Sequence, residues 1–148
     1  MRQPLAHTPP PFVADGAWFF LTICAEPRGA NQLCQPTVAA NLLADAALYH
    51  RQNSWVLHLF LLMPDHLHAI AAFPRGSRMS ESIRNWKRLT ARRHGVHWQR
   101  NFFDHRLRSD EGLELKARYI RDNPVRAGLV PQAEAWPHVI DFRHLEGR

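Results

Sequence analysis

Two histidines, His66 and His68, stand two residues apart within the apolar sequence LLMPDHLHAI at positions 61–70. This sequence is typical of a β-strand that follows a short break. Alternate side chains of a strand point to the same face, so the two histidines would share a face while Leu67 points away. Two neutral imidazoles on one face can bind one divalent metal ion.

A second segment, YIRDNP at positions 119–124, offers a tyrosine and a third metal ligand. Residues four apart on a helix face the same way, so Tyr119 and Asn123 would be neighbours. If they lie against the histidines, two imidazole nitrogens and the Asn123 amide oxygen would hold one ion and leave other positions open. This ligand set favours Mg²⁺ or Mn²⁺ shared with a phosphate over a closed zinc site.

Tyr119 is the predicted nucleophile. A phenolate can displace one oxygen of a phosphodiester and keep the bond energy in a phosphotyrosine link. Since a phenol is mostly protonated at neutral pH, it needs help from the metal, a base or a cation. Lys116, three residues earlier, is a candidate for this support. The other tyrosine of the chain, Tyr49, falls in the apolar stripe of a predicted helix.

Each of these patterns also has a purely structural interpretation. A His-x-His pair is a weak metal signal, and a single helical tyrosine is most often part of a core. Asn123 before Pro124 can simply end a helix. A run of basic residues is most often a solvated surface. The joint occurrence of the patterns, on suitably placed elements, favours catalysis.

The charge of the chain favours a polyanionic partner. Its 148 residues, enough for one domain, include 19 Lys and Arg against 13 Asp and Glu, a net charge of +6. Ten of the basic residues fall between Arg75 and Arg108, against two acidic residues there. No apolar run approaches the roughly 20 residues that span a bilayer, so we expect a cytoplasmic protein. Cys24 and Cys34 are expected to be reduced structural thiols.

The order of the predicted elements indicates the fold class. An α+β, ferredoxin-like β-α-β-β-α-β antiparallel sheet is predicted, with helices on one face and an extra C-terminal helix that carries the tyrosine. The predicted bounds are strand 18–24, a helix from residue 37, strand 54–62, the histidine strand, helix 79–94, strand 98–108 and a helix from residue 109 or 110 to Asn123. Residues 1–16 are expected to form an N-terminal arm and 131–148 a C-terminal tail; no element is assigned after residue 124.

Four segments of the chain resemble the single-tyrosine HUH transposases, most closely the REP-associated tyrosine transposases. The segments are FLTIC at 20–24, MPDHLH at 63–68, WQRNFFDHRLR at 98–108 and YIRDNPVRAGLV at 119–130. The resemblance implies one HUH transposase-like domain over residues 1–148, with a ferredoxin-like core. It also implies cleavage of single-stranded DNA near a hairpin, which leaves a 5′-phosphotyrosine and a free 3′-hydroxyl.

The same resemblance implies roles for individual residues. His66 and His68 match the metal-binding histidines, Tyr119 the nucleophile and Asn123 a third ligand that is an amide. Asp65 stands where relatives often have Asn. The basic helix would contact DNA phosphates, and Trp86 or Trp98 could stack on a base, although packing in the core is the favoured role for both tryptophans. The residues expected to bind DNA are Arg84, Lys87, Arg88, Arg92, Arg93 and Arg106.

The leading hypothesis is therefore a metal-dependent enzyme, resembling a transposase, that nicks and rejoins single-stranded or hairpin DNA in the nucleoid. A non-catalytic regulator that binds DNA or RNA hairpins is the first alternative. A metal-dependent nuclease in which water attacks is the second. We expect a monomer, with a homodimer as the alternative. Since the chain ends soon after Trp136, we also expect it to lack any longer C-terminal DNA-binding element of relatives.

Overall fold

The computed structural model of the protein describes residues 17–142, which contain both strands and helices and include a short strand near their C-terminal end. The elements are β1 (Trp18–Cys24), α1 (Pro36–Arg51), β2 (Val56–Leu62), β3 (His66–Ala72), α2 (Met79–His94), β4 (Phe103–Leu107), α3 (Asp110–Arg121), α4 (Asn123–Arg126), a 3₁₀ turn (Ala133–Ala135) and β5 (Val139–Asp141). Within these residues five strands form one antiparallel sheet in the order β4-β1-β3-β2-β5. The first four strands have the predicted ferredoxin-like order, so the predicted fold class is confirmed.

The first face of the sheet is covered by α1 and α2. Their apolar side chains, among them Leu42 and Ile83, join one core with residues of β1, β2 and β3. At its centre the Trp86 ring lies 5.4–5.6 Å, centroid to centroid, from the rings of Trp55, Phe60 and Trp98. Trp86 has no exposed surface, which confirms the favoured role in the core and excludes stacking on a DNA base.

The second face of the sheet is covered by α3. Leu113, Ala117 and Ile120, at helical spacings of four and three, are buried against a second core that includes Ile70 of β3. The helix begins after Ser109, whose hydroxyl accepts a hydrogen bond of 2.9 Å from the backbone N–H of Gly112. Ile70 and His68 are two residues apart on β3, so α3 lies over the face that bears the histidines.

β4 is shorter than the predicted strand 98–108. Residues 99–102 lie outside the sheet, and Trp98 forms only an isolated bridge with Ala25. The Lys87 ammonium on α2 donates hydrogen bonds to the carbonyls of Gln99 (2.6 Å) and Arg100 (3.0 Å). These two carbonyls are therefore bound to a helix rather than to a neighbouring strand.

The segment after α3 contains structure that the sequence pattern did not predict. β5 pairs with β2, and Arg121 at the end of α3 forms a salt bridge of 2.7 Å with Asp141 of β5. α3 ends at Arg121, so Asn123 starts α4 instead of lying in the last turn of α3. The predicted arm, 1–16, and the end of the tail, 143–148, lie outside the described residues. In the described part, no helix has the length and apolar character that a membrane span requires.

Candidate active site

The two histidines lie at the start of β3, near the middle of the sheet. His66 pairs with Cys24 of β1 and His68 with Thr22. Their ring centroids are 4.8 Å apart, at an angle of 74° between the ring planes. The sequence prediction that both imidazoles occupy one face agrees with this contact.

Asp65 orients the first histidine. Its Oδ1 lies 2.8 Å from Nδ1 of His66, while its Oδ2 accepts hydrogen bonds from the Arg28 guanidinium (3.0 Å) and the Gly29 backbone N–H (2.8 Å). Partial burial alone would raise the pKa of Asp65, but these hydrogen bonds and the charge of Arg28 lower it well below its ordinary value. The carboxylate therefore stays charged and holds the His66 ring through Nδ1.

His68 is almost fully buried, and its neighbours keep it uncharged. Its ring stacks on Phe20 with a centroid distance of 5.3 Å, and the Thr22 hydroxyl lies 3.0 Å from Nδ1. Burial and, to a lesser degree, the nearby side chains of His66, Lys116 and Arg126 lower the pKa of His68 to about 3. A neutral imidazole is the form that binds metal.

These contacts fit a divalent metal ion. In both histidines Nδ1 has a polar neighbour, an arrangement that fixes the ring and makes Nε2 the nitrogen for a metal. Within residues 17–142, no group of three or more His, Cys, Asp and Glu side chains gathers to hold a metal. A site here therefore needs the two imidazoles together with an amide, water or phosphate oxygen. Asn123 remains the predicted source of the amide oxygen.

Tyr119 lies beside the histidines of its own chain. Its ring centroid is 6.3 Å from that of His68, and 46% of its surface is exposed. The Lys116 ammonium lies 5.1 Å from the centre of the Tyr119 ring and 4.6 Å from that of Phe20. The phenol is thus reachable from solvent, next to the His68 imidazole and the Lys116 ammonium.

Arg126 is a part of the site that the sequence analysis missed. Its guanidinium carbon lies 4.2 Å from the centre of the Tyr119 ring, and it donates a hydrogen bond of 2.7 Å to the Tyr119 carbonyl. The backbone of Asp122 between α3 and α4 is helical, which keeps Tyr119 and Asn123 about one turn apart. Arg126, seven residues after Tyr119, lies two turns away, and this spacing could have indicated it.

The predicted DNA-binding residues fall into groups with different surroundings. Arg84 and Arg88 line a groove of about 660 Å³ between α2 and residues 98–102. Lys87 is half-buried on backbone carbonyls, and Arg93 lies 3.6 Å from Asp45. Arg92 is exposed at the end of α2, and Arg106 is exposed on β4.

Replacing Asp65 with asparagine is expected to lower the free energy of unfolding by about 1–2 kcal/mol at pH 7, because hydrogen bonds to a charged carboxylate are lost. The folded-state pKa of Asp65 is lowered, so its contribution is present above the unfolded-state value, near 3.8, and is lost as the pH falls towards the folded value. Urea titrations from pH 7 to pH 2.5, with EDTA present, measure the difference between the two proteins.

Asp104→Asn, at an exposed carboxylate on β4, is the control for the Asp65 variant. The difference in the free energy of unfolding between wild type and Asp65→Asn should be constant above about pH 5 and should become smaller below about pH 4. A gap that is the same at pH 7 and pH 2.5 would contradict the role of the charged carboxylate.

Comparison with known proteins supports the resemblance seen in the sequence. The chain is 28% identical over 130 residues to the REP-associated tyrosine transposase of Escherichia coli K12, covering 85% of this chain and 76% of that protein. The described fold matches a solved REP-associated tyrosine transposase bound to a REP hairpin, with a TM-score of 0.77 and 24% identity. The chain is similar to REP-associated tyrosine transposases.

This similarity extends over most of the chain. The solved structure aligns with 90% of this chain and 82% of its own. A Haemophilus influenzae protein that provisionally carries the same name is 28% identical over 95 residues, 52% of this chain and 53% of that protein. No family model matches the chain. The resemblance predicted from the four sequence segments is thereby confirmed, and the fold is that of the REP-associated enzymes.

Proposed function

We propose that this protein is a transposase-like enzyme that cuts and rejoins single-stranded DNA at hairpin-associated sites through Tyr119. The observation that carries the proposal is the contact between the Tyr119 and His68 rings, with centroids 6.3 Å apart within one chain. A nucleophile beside a pair of imidazoles that can bind a metal ion is suited to metal-assisted phosphoryl transfer. The transposase names of the relatives support the same class of reaction.

The proposed reaction exchanges one phosphodiester for another. The Tyr119 oxygen attacks the phosphorus, a bond forms between them, and the bond from phosphorus to the 3′-oxygen breaks. The phenol loses its proton, and the departing 3′-oxygen gains one. The products are a 5′-phosphotyrosine and a free 3′-hydroxyl, and the reverse attack by a 3′-hydroxyl rejoins a strand. No outside energy source is needed because the number of phosphodiester bonds is unchanged.

The residues around Tyr119 have separate tasks in this reaction. Lys116 and Arg126 lie against the Tyr119 ring, where their charges would stabilise a phenolate and the developing charge on the phosphate. His66 and His68, with Asn123 as the third ligand, would hold Mg²⁺ or Mn²⁺. The ion would act as a Lewis acid on the scissile phosphate. Asp65 and Thr22 keep the two imidazole rings oriented.

Hairpin DNA is the proposed partner. The solved relative is bound to a REP hairpin, and this chain has a net charge of +6 with a basic groove beside α2. Arg84 and Arg88 on that groove, with Arg92, Arg93 and Arg106 elsewhere on the surface, would neutralise phosphates, so binding should weaken steeply with salt. Lys87, held by backbone carbonyls, would position this surface.

Incubation with a labelled hairpin-bearing single strand and Mn²⁺ tests the proposed function. The expected result is a covalent protein–DNA adduct that resists denaturation and maps by mass spectrometry to the peptide containing Tyr119. EDTA should prevent its formation. Cleavage without an adduct would favour the water-dependent nuclease, and binding that is insensitive to EDTA and occurs without cleavage would favour the non-catalytic regulator.

A further inference from the structure

Phe103 is an exposed aromatic residue at the start of β4, in a sequence segment for which the proposed reaction has no role. Its neighbour Phe102 packs partly buried against the core beneath α1 and α2. Phe103 pairs with Thr22, which in turn pairs with His68. Paired residues share a face of the sheet, so Phe103 lies on the face of the histidines. There, 57% of its surface is exposed.

A series of ring contacts joins Phe103 to the proposed nucleophile. The Phe103 and Phe20 ring centroids are 6.1 Å apart, those of Phe20 and His68 are 5.3 Å apart, and those of His68 and Tyr119 are 6.3 Å apart. β4 and β3 are separated by one strand, which sets Phe103 and His68 about 10 Å apart across the sheet. A flat group on Phe103 would therefore lie close to the reacting phosphate.

The surroundings of Phe103 favour a polyanion with flat apolar groups. Next to this residue along β4, a groove of about 520 Å³ between β4 and α3 is lined by His105, Arg106, Arg108, Leu115, Lys116 and Tyr119, and Phe103 lies just outside this lining. A cationic groove that adjoins an exposed aromatic ring is the combination with which proteins bind single-stranded nucleic acid. In a duplex the faces of the bases are covered by their neighbours, so an unpaired base fits this ring better than a paired one.

We propose that Phe103 is the stacking platform for an unpaired nucleobase next to the scissile phosphate. The strand would enter along the groove between β4 and α3 and reach Tyr119 at its end. This inference rests on the proposed function for the identity of the scissile phosphate. Trp98, the other tryptophan considered for stacking, packs against Trp86 and donates its indole N–H to the Thr90 hydroxyl at 3.0 Å.

Fluorescence of 2-aminopurine, placed at successive positions of a hairpin-bearing single strand, tests this inference. Tyr119→Phe protein is used, so that binding is measured without cleavage. The expected result is strong quenching at one unpaired position. Phe103→Ala in the same background should remove that quenching and weaken binding by about 5- to 100-fold, while Phe103→Trp should retain both. Leu129→Ala, at a similarly exposed apolar residue away from the groove, should change neither.

The two proposals fail in different ways. Binding by Phe103→Ala that stays within about twofold of its parent, with unchanged quenching, would overturn the stacking role. If the stacking role is overturned in this way and Phe103→Ala with Tyr119 intact still forms the adduct, the proposed function is retained without the stacking platform. If quenching depends on Phe103 but the wild-type protein forms no adduct, the stacking role of Phe103 is supported and the assignment of Tyr119 as the nucleophile is refuted. Thermal melting of Phe103→Ala and Phe103→Trp checks that both variants are folded.

Discussion

Replacing Tyr119 with phenylalanine is expected to abolish adduct formation and to lower DNA cleavage by at least about 1,000-fold. The substitution removes the proposed attacking oxygen and leaves the ring that contacts His68 and Arg126. Removal of a nucleophile from a group that acts as a unit eliminates most of the rate enhancement. Because the Tyr119 side chain is nearly half exposed, the free energy of unfolding should be nearly unchanged.

The chain supplies a matched control for this variant. Tyr49 is its second tyrosine, packed on α1 with its ring 5.3 Å from that of Trp55. Tyr49→Phe should retain full adduct yield on the same oligonucleotide. An adduct of equal yield from Tyr119→Phe would refute the assignment of the nucleophile, and loss of the adduct from both variants would point to a general effect of the substitutions.

Replacing His68 with alanine is expected to abolish metal binding and to lower cleavage by at least about 100-fold, because one of two imidazole ligands is removed. Calorimetric titration with Mn²⁺ measures the first effect, and the adduct assay measures the second. His68 is buried against Phe20, so the variant should also lose stability. Salt-dependent binding of DNA should persist, because the basic residues remain.

A gentler variant separates ligation from packing at this position. Thr22→Val removes the hydroxyl 3.0 Å from Nδ1 of His68 and keeps a side chain of similar volume. Loss of such a contact typically costs 10- to 100-fold in metal affinity, so Thr22→Val should fall between wild type and His68→Ala. His138→Ala, at a partly buried histidine beside Trp136, is the control. Mn²⁺ affinity that is unchanged in His68→Ala would exclude this imidazole as a ligand.

The sequence was sufficient to predict the fold class and the first four strands, because the strands and helices have distinct hydrophobic periods. Alternation around His66 and His68 predicted their shared face, but the buried side of α3, formed by Leu113, Ala117 and Ile120, was not predicted. The predicted β4 was too long. Lys87 binds the carbonyls of Gln99 and Arg100 and holds them outside the sheet, and such side-chain contacts leave no periodic signal in the sequence. β5 has three residues, too few for a detectable period.

The site was only partly predictable for a related reason. His66, His68, Tyr119 and Lys116 have chemistry that is visible in their residue types, and the structure gathers them on one face of the sheet. Thr22 contacts His68 only through the register of β1 against β3, which local sequence patterns do not encode. The Arg28–Asp65 contact likewise joins residues 37 positions apart.

The helix α3 crosses the sheet and is connected to both of its edge strands. It leaves β4, one outer strand, through Ser109, and Arg121 binds Asp141 on β5, the other outer strand. Its 12 residues span about 18 Å, close to the roughly 19 Å across five strands. The length of α3 therefore matches the width of the sheet, and its C-terminal end is held to β5 by the salt bridge between Arg121 and Asp141. If strands are exchanged at Tyr119, any displacement of α3 would have to break the contact between Arg121 and Asp141, whereas displacement of the DNA would not.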